Sequence, residues 1–193
     1  MSESAIDLKR QLVADAITRC AQQLADEHGL DGFTMDQLAE CAGVSRRTLF
    51  NYVPGKLDAV LGSMQEPDPE VFSEFLAGGP TGVLIEDIKA VIGTALHRKD
   101  TNSADLERLR RLIAADARIH KAARDRFERL VTYFAETISA REGDSFDPTR
   151  ARIVATITLS LFDIALDDFA ADPWTELADH FNAVFDTAKS IFN

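Results

Sequence analysis

The sequence predicts an all-α protein, with a head of three helices at the N-terminus and a larger helical core after it. Apolar residues recur at the three- and four-residue spacing of helices along most of the chain. The valines, isoleucines and threonines do not alternate with polar residues as they do in strands, and no Asn-Gly hairpin signal occurs. Capping residues, glycines and prolines then divide the helical pattern into separate elements.

The first predicted helix covers residues 6–28. Its apolar face is formed, at steps of four, by Leu12, Ala16, Cys20 and Leu24. Gly29 follows a polar turn and fits a C-terminal cap, so the helix is expected to end there.

Two short helices follow, joined by a glycine turn. Thr34 and Gln37 have the spacing of a capping box, which begins a helix that runs to about residue 41. Gly43 supplies the turn, and Ser45 is a good N-cap for a second helix through about residue 52. A further helix is expected from Lys56 to about residue 64. The two short helices on either side of Gly43 form a helix-turn-helix pattern over about residues 34–53.

The rest of the chain is predicted to be a second helical domain. The proline-containing joint at residues 67–69 is the best candidate boundary, which gives a head over 6–64 and a helical domain over 65–193. Further helices are expected at about 70–77, 83–97, 104–115, 117–141, 148–170 and 173–191. Asp147-Pro148 and Asp172-Pro173 each place an acidic N-cap before a proline, as helix starts do. The helix over 148–170 is apolar around much of its girth, so its own chain or a second copy must cover it.

Composition limits the class of protein. The chain has 193 residues, of which 46% are apolar and 27% are charged, as in ordinary globular proteins. No run of about 18 apolar residues occurs, so no membrane span is predicted. The N-terminus lacks the layout of a signal peptide, so we expect a cytoplasmic protein. Cys20 and Cys41 belong to no CxxC or Cys/His cluster, so neither a disulfide scaffold nor a metal site is expected.

Charge is unevenly distributed along the chain. The formal net charge of −11 argues against a protein that coats nucleic acid by bulk charge. Residues 41–57, however, hold Arg46, Arg47 and Lys56 and no acidic residue. A partner that needs positive charge therefore has one local site, although three basic residues also arise by chance on a solvated face.

The second short helix has a face suited to DNA. At about 100° per residue, Leu49 and Val53 point inward, whereas Arg47, Phe50 and Asn51 point outward. The major groove is about 12 Å wide and admits one helix, where Arg pairs with guanine, Asn pairs with adenine and Phe contacts a thymine methyl group. The alternative is an ordinary pair of short helices with arginines on a solvated face.

Phosphate contacts are expected around the same helix. Thr34 and Ser45 begin helices whose N-termini attract phosphate. Thr48, Tyr52 and Lys56 can reach phosphates, which fixes register without reading sequence.

Residues 29–61, GLDGFTMDQLAECAGVSRRTLFNYVPGKLDAVL, resemble the DNA-binding domain of the tetracycline-repressor (TetR) family. The matching features are a Gly before Thr, the Leu-Ala and Ala-Gly-Val-Ser core, Thr-Leu-aromatic, a second aromatic residue and Lys-Leu. The resemblance covers roughly residues 6–64. It implies a homodimer whose last two long helices pair in a four-helix bundle, here those at 148–170 and 173–191. The two heads then bind double-stranded DNA at a pseudo-palindromic operator, in major grooves roughly 34–36 Å apart.

The resemblance also assigns roles to residues. Base-facing positions of the family fall on Arg46, Arg47 and Phe50, and its phosphate-contacting positions fall on Thr34, Thr48, Tyr52 and Lys56. Asn51 faces outward and is expected to help. Phe50 stands where Tyr is commoner, so no phenolic hydroxyl is available there, and Val53 replaces a frequent Phe on the buried side.

Most family members repress transcription until a small molecule binds the C-terminal domain. Residues 111–134 resemble the core of some actinobacterial members that are linked to acyl-CoA-like ligands. A small hydrophobic effector is therefore expected. The candidate pocket residues are Phe72, Phe75, Leu84, Ile88, Leu112, Ile113, Phe127, Phe134 and Phe162. At helical spacing, such residues are more often plain core.

Two polar features leave alternatives open. Asp163, in an apolar helix, needs a partner if it is buried, which a ligand amine or an arginine across the dimer would supply. The cluster Arg108, Arg110 and Arg111 suits an anionic head group, or a solvated face paired with Asp105 and Glu107.

Enzyme motifs are absent from the sequence. It contains no GxSxG, HExxH, P-loop or strand-linked GxGxxG, so neither catalytic residues nor a cofactor are expected. The alternatives to a DNA-binding regulator are a helical enzyme and an adaptor that binds only protein.

Overall fold

The structure is a computed structural model that describes residues 3–62, 69–97 and 102–192. It confirms the all-α prediction, because the regular elements in these ranges are all helices. In chain order they are α1 Glu3–His28, α2 Met35–Cys41, α3 Arg46–Tyr52, α4 Lys56–Leu61, α5 Pro69–Leu76, α6 Leu84–His97, α7 Ser103–Ala115, α8 Ala117–Glu142, α9 Pro148–Ala171 and α10 Leu177–Phe192. None of them, within the described ranges, combines the length and hydropathy that a membrane span requires.

The last helix begins later than the sequence predicts. The expected start was Pro173 with Asp172 as N-cap, whereas α10 begins at Leu177. Asp172 instead ends α9, and its carboxylate accepts hydrogen bonds from the backbone N–H of Trp174 and the hydroxyl of Thr175. The prediction is wrong because the Asp-Pro pair caps the turn that reverses the chain, and the helix starts only where its apolar face can pack. By contrast, the carboxylate of Asp147 does cap α9.

The described residues form two compact units, each with its own core. The first unit holds α1 to α4 together with Ala104–Asp125, which are most of α7 and the start of α8. The second unit holds α5, α6, the rest of α8, α9 and α10. The boundary predicted at residues 64 and 65 falls outside the described residues, so the predicted domain division stays a prediction.

The core of the first unit joins its four N-terminal helices. Ile17, Leu38, Leu49 and Val60 are completely buried, one on each of α1 to α4. Burial of such a side chain stabilises the fold by roughly 1.5–3 kcal/mol. Gln22 on α1 also donates from Nε2 to the carbonyl of Val60 at 3.0 Å. These contacts fix the two short helices of the head against α1.

The second unit has a core of its own. Phe75, Ile88, Ile138 and Ala155 come from α5, α6, α8 and α9 and are buried together. Along α10, Phe181 is completely buried, and its ring makes an edge contact with that of Phe162 on α9 at 6.4 Å between centroids. This packing positions α9 and α10 side by side.

A buried ion pair ties three parts of the second unit together. The side chains of Asp87 on α6 and Arg141 on α8 are 0% and 3% exposed and form a hydrogen-bonded pair. Thr81, in the loop before α6, donates its N–H and its hydroxyl to Asp87 Oδ1 at 2.7 and 2.6 Å. Arg141 donates to the carbonyls of Phe75 and Gly78 at 3.1 and 3.2 Å. Both charges are thus held by several partners, which the burial of an ion pair requires.

Candidate nucleic-acid interface

The two short helices of the head begin at the caps that the sequence predicts. The hydroxyl of Thr34 accepts from the N–H of Gln37 at 3.2 Å, and the Gln37 side chain accepts from the N–H of Thr34 at 2.8 Å. Ser45 accepts from the N–H of Thr48 at 3.0 Å, and their hydroxyl oxygens lie 2.8 Å apart. Thr34 and Ser45 are both exposed. The predicted capping box and the predicted N-cap are confirmed.

The turn between these helices holds them close. Gly43 has a φ of +65°, which residues with a side chain rarely adopt. The N–H of Val44 donates to the carbonyl of Ala39 at 3.0 Å, and Ala39 is buried. The hydrogen bond therefore ties α2 to the residue that precedes the N-cap of α3.

The two sides of α3 differ in solvent exposure, as the helical spacing predicts. Leu49 is 0% exposed, and Val53, which caps the helix, is 5% exposed. Arg47 and Asn51 are exposed, and Phe50 is 44% exposed. The Phe50 ring therefore exposes nearly half of its surface on the same side of α3 as Arg47 and Asn51.

Arg46 is exposed but already has a partner within the head. Its Nη1 donates to both carboxylate oxygens of Asp36 on α2, at 2.9 and 2.8 Å, and its Cζ lies 5.6 Å from the centroid of the Phe50 ring. Both charged side chains are 63% exposed, so the pair contributes little to stability. The pair does fix the direction of the guanidinium. Asp36 is absent from the predicted site residues, and its spacing from Arg46 gives no signal until the crossing of α2 and α3 is known.

The remaining residues predicted to contact phosphate lie on α3 and at the start of α4. Thr48 and Tyr52 are half-buried, and Tyr52 packs against the core of the head. Lys56, at the start of α4, is half-buried; its Nζ donates to the carbonyl of Leu30 at 2.9 Å and lies 4.6 Å from the centroid of the Phe33 ring. An ammonium group has three donors, so Lys56 can hold the loop after α1 and still donate to a phosphate.

An arginine at the start of α8 also supports the loop between α1 and α2. Arg118 donates to Asp31 in that loop at 2.9 Å and to both carboxylate oxygens of Asp116, the residue before α8. The hydrogen bond with Arg118 lowers the pKa of Asp116 to about 2, and the same guanidinium lowers the pKa of Asp31. The loop that precedes α2 is therefore fixed by charge within the first unit.

In the arginine cluster on α7, Arg111 is exposed, whereas Arg108 and Arg110 are half-buried. Arg108 lies 2.8 Å from Asp105 and 3.9 Å from Asp26, and Arg111 lies 3.1 Å from Asp26. Of the two interpretations of the cluster, the structure favours the paired face, and it adds Asp26 of α1 to the pairs.

The two cysteines form a disulfide bond that the sequence did not predict. Cys20 on α1 and Cys41 at the end of α2 are bonded, with 5.9 Å between their Cα atoms. The spacing of 21 residues carries no disulfide signature. Only the packing of α2 on α1 brings the two positions together.

The nine predicted pocket residues do not share one location. Phe75, Leu84, Ile88 and Phe134 belong to the core of the second unit. Leu112 and Ile113 belong to the core of the first unit. Phe127 is 38% exposed, Phe72 is half-buried, and Phe162 packs on Phe181. Three of the nine are buried, five are half-buried and one is exposed, so periodicity identified apolar faces but could not separate the two cores.

The second unit also has an open groove between α6 and α10. Its volume is about 400 Å³, and it is lined by Thr81, Glu86, Lys89, Ala90, Gly93, Thr94 and Asn182. None of the predicted pocket residues lines it. Lys89 there lies 2.5 Å from Asp186 of α10, and Glu86 pairs with Lys189 of the same helix, so both charged side chains in the groove are already paired.

Residues 17–58 match the model of the family described as bacterial regulatory proteins of the tetR family. Over 62 residues the chain is 39% identical to the HTH-type transcriptional repressor DrrR1 of Streptomyces coeruleorubidus. That match covers 31% of this chain and 23% of the repressor, so the chain aligns with less than a quarter of this relative. The matched family model lies within the part of the chain that carries α1 to α4.

Two solved structures align with most of the chain at low identity. A transcriptional regulator from Rhodococcus sp. Rha1 is 15% identical, with 90% of this chain and 94% of that chain covered and a TM-score of 0.46. A structure described as a TetR-family transcriptional regulator from Mesorhizobium loti is 19% identical, with 99% and 98% covered and a TM-score of 0.38. The similarity to the tetR family lies in residues 17–58.

Proposed function

We propose that this chain, whose N-terminal head belongs to the tetR family of bacterial regulatory proteins, is a sequence-specific DNA-binding regulator of transcription. The outer face of α3 carries the proposal. Arg47, Phe50 and Asn51 are exposed there, on a helix whose inner side is held by Leu49 and Val53. This set combines a guanine-reading cation, an adenine-reading amide and an apolar contact for thymine.

Repression is the mode of regulation that we propose. The relative that matches the head is a transcriptional repressor. A head that occupies the major groove near a promoter excludes other proteins from the same DNA, and no catalytic group is needed for that effect. The chain then acts through its affinity for the operator alone.

DNA binding by the full chain tests the proposal. Fluorescence anisotropy would compare a duplex from the region upstream of its own coding sequence with a shuffled duplex of equal composition, over a series of salt concentrations. We expect the upstream duplex to bind about a thousandfold more tightly or better. Affinity for both duplexes should fall as salt rises, because phosphate contacts release counterions. Equal affinity for the two duplexes at every salt concentration would overturn the proposal.

We also propose a homodimer through α9 and α10. Three isoleucines of α9, namely Ile153, Ile157 and Ile164, are 51%, 41% and 47% exposed. Their spacings of four and eleven residues place them in one stripe along the helix. Exposed apolar stripes of this kind mark interaction surfaces, and a second copy of the chain is the partner that the family resemblance implies.

The charges beside the stripe are self-complementary. Arg152 and Asp163 are both exposed and are eleven residues apart, so they lie on the same side of the stripe. When two copies of α9 meet in antiparallel fashion across a two-fold axis, Arg152 of one protomer faces Asp163 of the partner subunit. The two-fold axis then passes near the middle of the isoleucine stripe.

A charge swap tests this interface. Arg152→Asp and Asp163→Arg should each raise the dimer dissociation constant by about tenfold or more, since each places like charges opposite one another. The double variant should recover much of the lost affinity. Sedimentation equilibrium measures all three, with Lys121→Asp on α8 as a charge-reversal control. If the double variant dissociates as readily as the single ones, this arrangement of α9 is wrong.

For the effector, we propose a small apolar molecule bound in the second unit, with acyl-CoA-like compounds as the first class to test. Leu84, Ile88 and Phe134 supply apolar surface within one core, next to Phe75. A melting-temperature screen of fatty acids, acyl-CoAs, cationic dyes and antibiotics tests this proposal. A ligand at a hundred times its dissociation constant adds about 2.7 kcal/mol to the free energy of unfolding. If no apolar compound raises the melting temperature while a polar one does, the proposed class is wrong.

A further inference from the structure

We propose that Cys20 and Cys41 form a thiol–disulfide switch that sets the affinity of the head for DNA. The oxidant is a low-molecular-weight disulfide, and the reductant is the corresponding thiol. The inference rests on the proposed function, because it assigns a regulation to the same DNA-binding head. It concerns the only two cysteines in the sequence.

The position of the bond favours a switch. Cys20 lies in α1, the scaffold helix of the head, and Cys41 is the last residue of α2. The distance of 5.9 Å between their Cα atoms lies within the range in which a disulfide forms without movement of the backbone. The bond therefore joins the scaffold to the end of the helix that leads into the turn before α3.

Both sulfur atoms can take part in exchange. Cys41 is exposed, and Cys20 is half-buried against the core of the head. The thiolate of Cys41 attacks one sulfur of the small disulfide, whose S–S bond breaks and whose other sulfur leaves as a thiolate. The thiolate of Cys20 then attacks the sulfur of Cys41 and expels the second small thiolate. The two protons lost by the cysteines pass to the two leaving thiolates, and the reverse sequence reduces the bond.

Two contacts join α2 to the segment that carries α3, one near each end of α2. The N–H of Val44 donates to the carbonyl of Ala39, and Arg46 on α3 binds the carboxylate of Asp36 on α2. With the bond formed, α2 is covalently held in the position that presents α3 as described above. With the bond reduced, only packing through residues such as Leu38 holds that position, so DNA binding must also order the helix.

Whether the bond between Cys20 and Cys41 forms depends on the redox state of the compartment in which the protein works. A protein that binds chromosomal DNA works where thiols are kept reduced, and disulfides in such proteins are usually transient and redox-sensing. The oxidised head binds its operator more tightly, and reduction weakens binding by about five- to tenfold, at the lower end of a typical coupling between two sites. A rise in small disulfides therefore strengthens occupancy of the operator.

The test compares the full chain in reduced and oxidised glutathione, with Cys41→Ser and Cys20→Ser as matched controls. Alkylation followed by mass spectrometry confirms the thiol state of each sample, and anisotropy measures affinity for the upstream duplex. We expect five- to tenfold tighter binding by the oxidised wild type, and no redox dependence in either variant. Equal affinity of the two forms, or failure of the bond to form in oxidised glutathione, would overturn the switch.

Amide hydrogen exchange over residues 35–52 separates this inference from the proposed function. The oxidised wild type should exchange more slowly in this segment than the reduced protein, and Cys41→Ser should show no difference. If neither form binds specific DNA, the proposed function fails and the switch of DNA affinity fails with it, even where exchange still depends on the bond. If both forms bind the upstream duplex with equal affinity, the proposed function stands and the switch alone fails. If exchange is the same in both redox states, the switch fails whatever the DNA result.

Discussion

Replacement of Arg47 by alanine should lower the affinity of the chain for its specific duplex by about 10- to 100-fold, the loss of one bidentate arginine–guanine pair. Arg47 is exposed in the first turn of α3 and forms no ion pair with any residue in the described ranges. It is therefore more available to a base than Arg46, whose guanidinium is already bound to Asp36. Affinity for the shuffled duplex should fall much less, so the ratio of specific to non-specific binding should fall as well.

Arg129→Ala is the matched control for this experiment. Arg129 is an exposed arginine on α8, so its removal takes away the same charge at a distance in sequence from the head. The control should bind the upstream duplex as the wild type does, and sedimentation should show the same oligomeric state for both variants. A loss of affinity that is equal for Arg47→Ala and Arg129→Ala would mean that only overall charge matters.

Replacement of Arg141 by methionine should lower the free energy of unfolding by about 3–5 kcal/mol, because it leaves a buried carboxylate without its cation. Arg141 and Asp87 are almost completely buried, and four further hydrogen bonds join them to the end of α5 and to the loop between α5 and α6. Denaturant unfolding measures the effect. Lys121→Ala breaks an exposed pair with Asp125 on α8 and should change stability by less than about 1 kcal/mol.

Two additional measurements separate the ion pair from simple packing. The double variant Asp87→Leu/Arg141→Met removes both charges, so its cost should be smaller than the sum of the two single changes. The contribution of Asp87 to the free energy of unfolding should also depend on pH. Burial raises the pKa of Asp87, but hydrogen bonds from Thr81 and the charge of Arg141 outweigh burial and lower the pKa below the usual 3.8.

The sign of that pH dependence follows from the lowered pKa. The folded protein holds the Asp87 proton less tightly than the unfolded chain does, so the stabilisation is complete above about pH 4 and declines as pH falls through the folded pKa. The difference in stability between wild type and Asp87→Ala should therefore shrink in acid. If the difference stays constant down to pH 2, the charge of Asp87 is not what stabilises the unit.

The features of the head that depend on local chemistry were predictable from the sequence. The caps at Thr34 and Ser45 and the buried positions of Leu49 and Val53 follow from hydrogen bonding to nearby backbone and from helical periodicity. These interactions involve residues fewer than five apart, so the sequence contains them in full. The outward direction of Arg47 and Asn51 follows from the same periodicity.

Contacts between distant residues were not predictable in this way. The pair between Arg46 and Asp36 and the bond between Cys20 and Cys41 depend on how α2 crosses α3 and α1. The burial of Leu112 with the head, rather than with Phe75, depends on where α7 packs. Periodicity identifies which residues are buried, but it cannot say which helix lies opposite, because that choice is made by side-chain packing across the whole unit.

Selection from a pool of random duplexes by the full chain tests the role of α3 most directly. We expect the wild type to enrich a pseudo-palindrome whose half-sites are centred about 10–10.5 base pairs apart, or a multiple of that spacing. Each half-site should contain a guanine that Arg47→Ala no longer selects. Recovery of no sequence above the starting pool, or of the same sequence by wild type and Arg47→Ala, would contradict the proposal that this helix reads DNA.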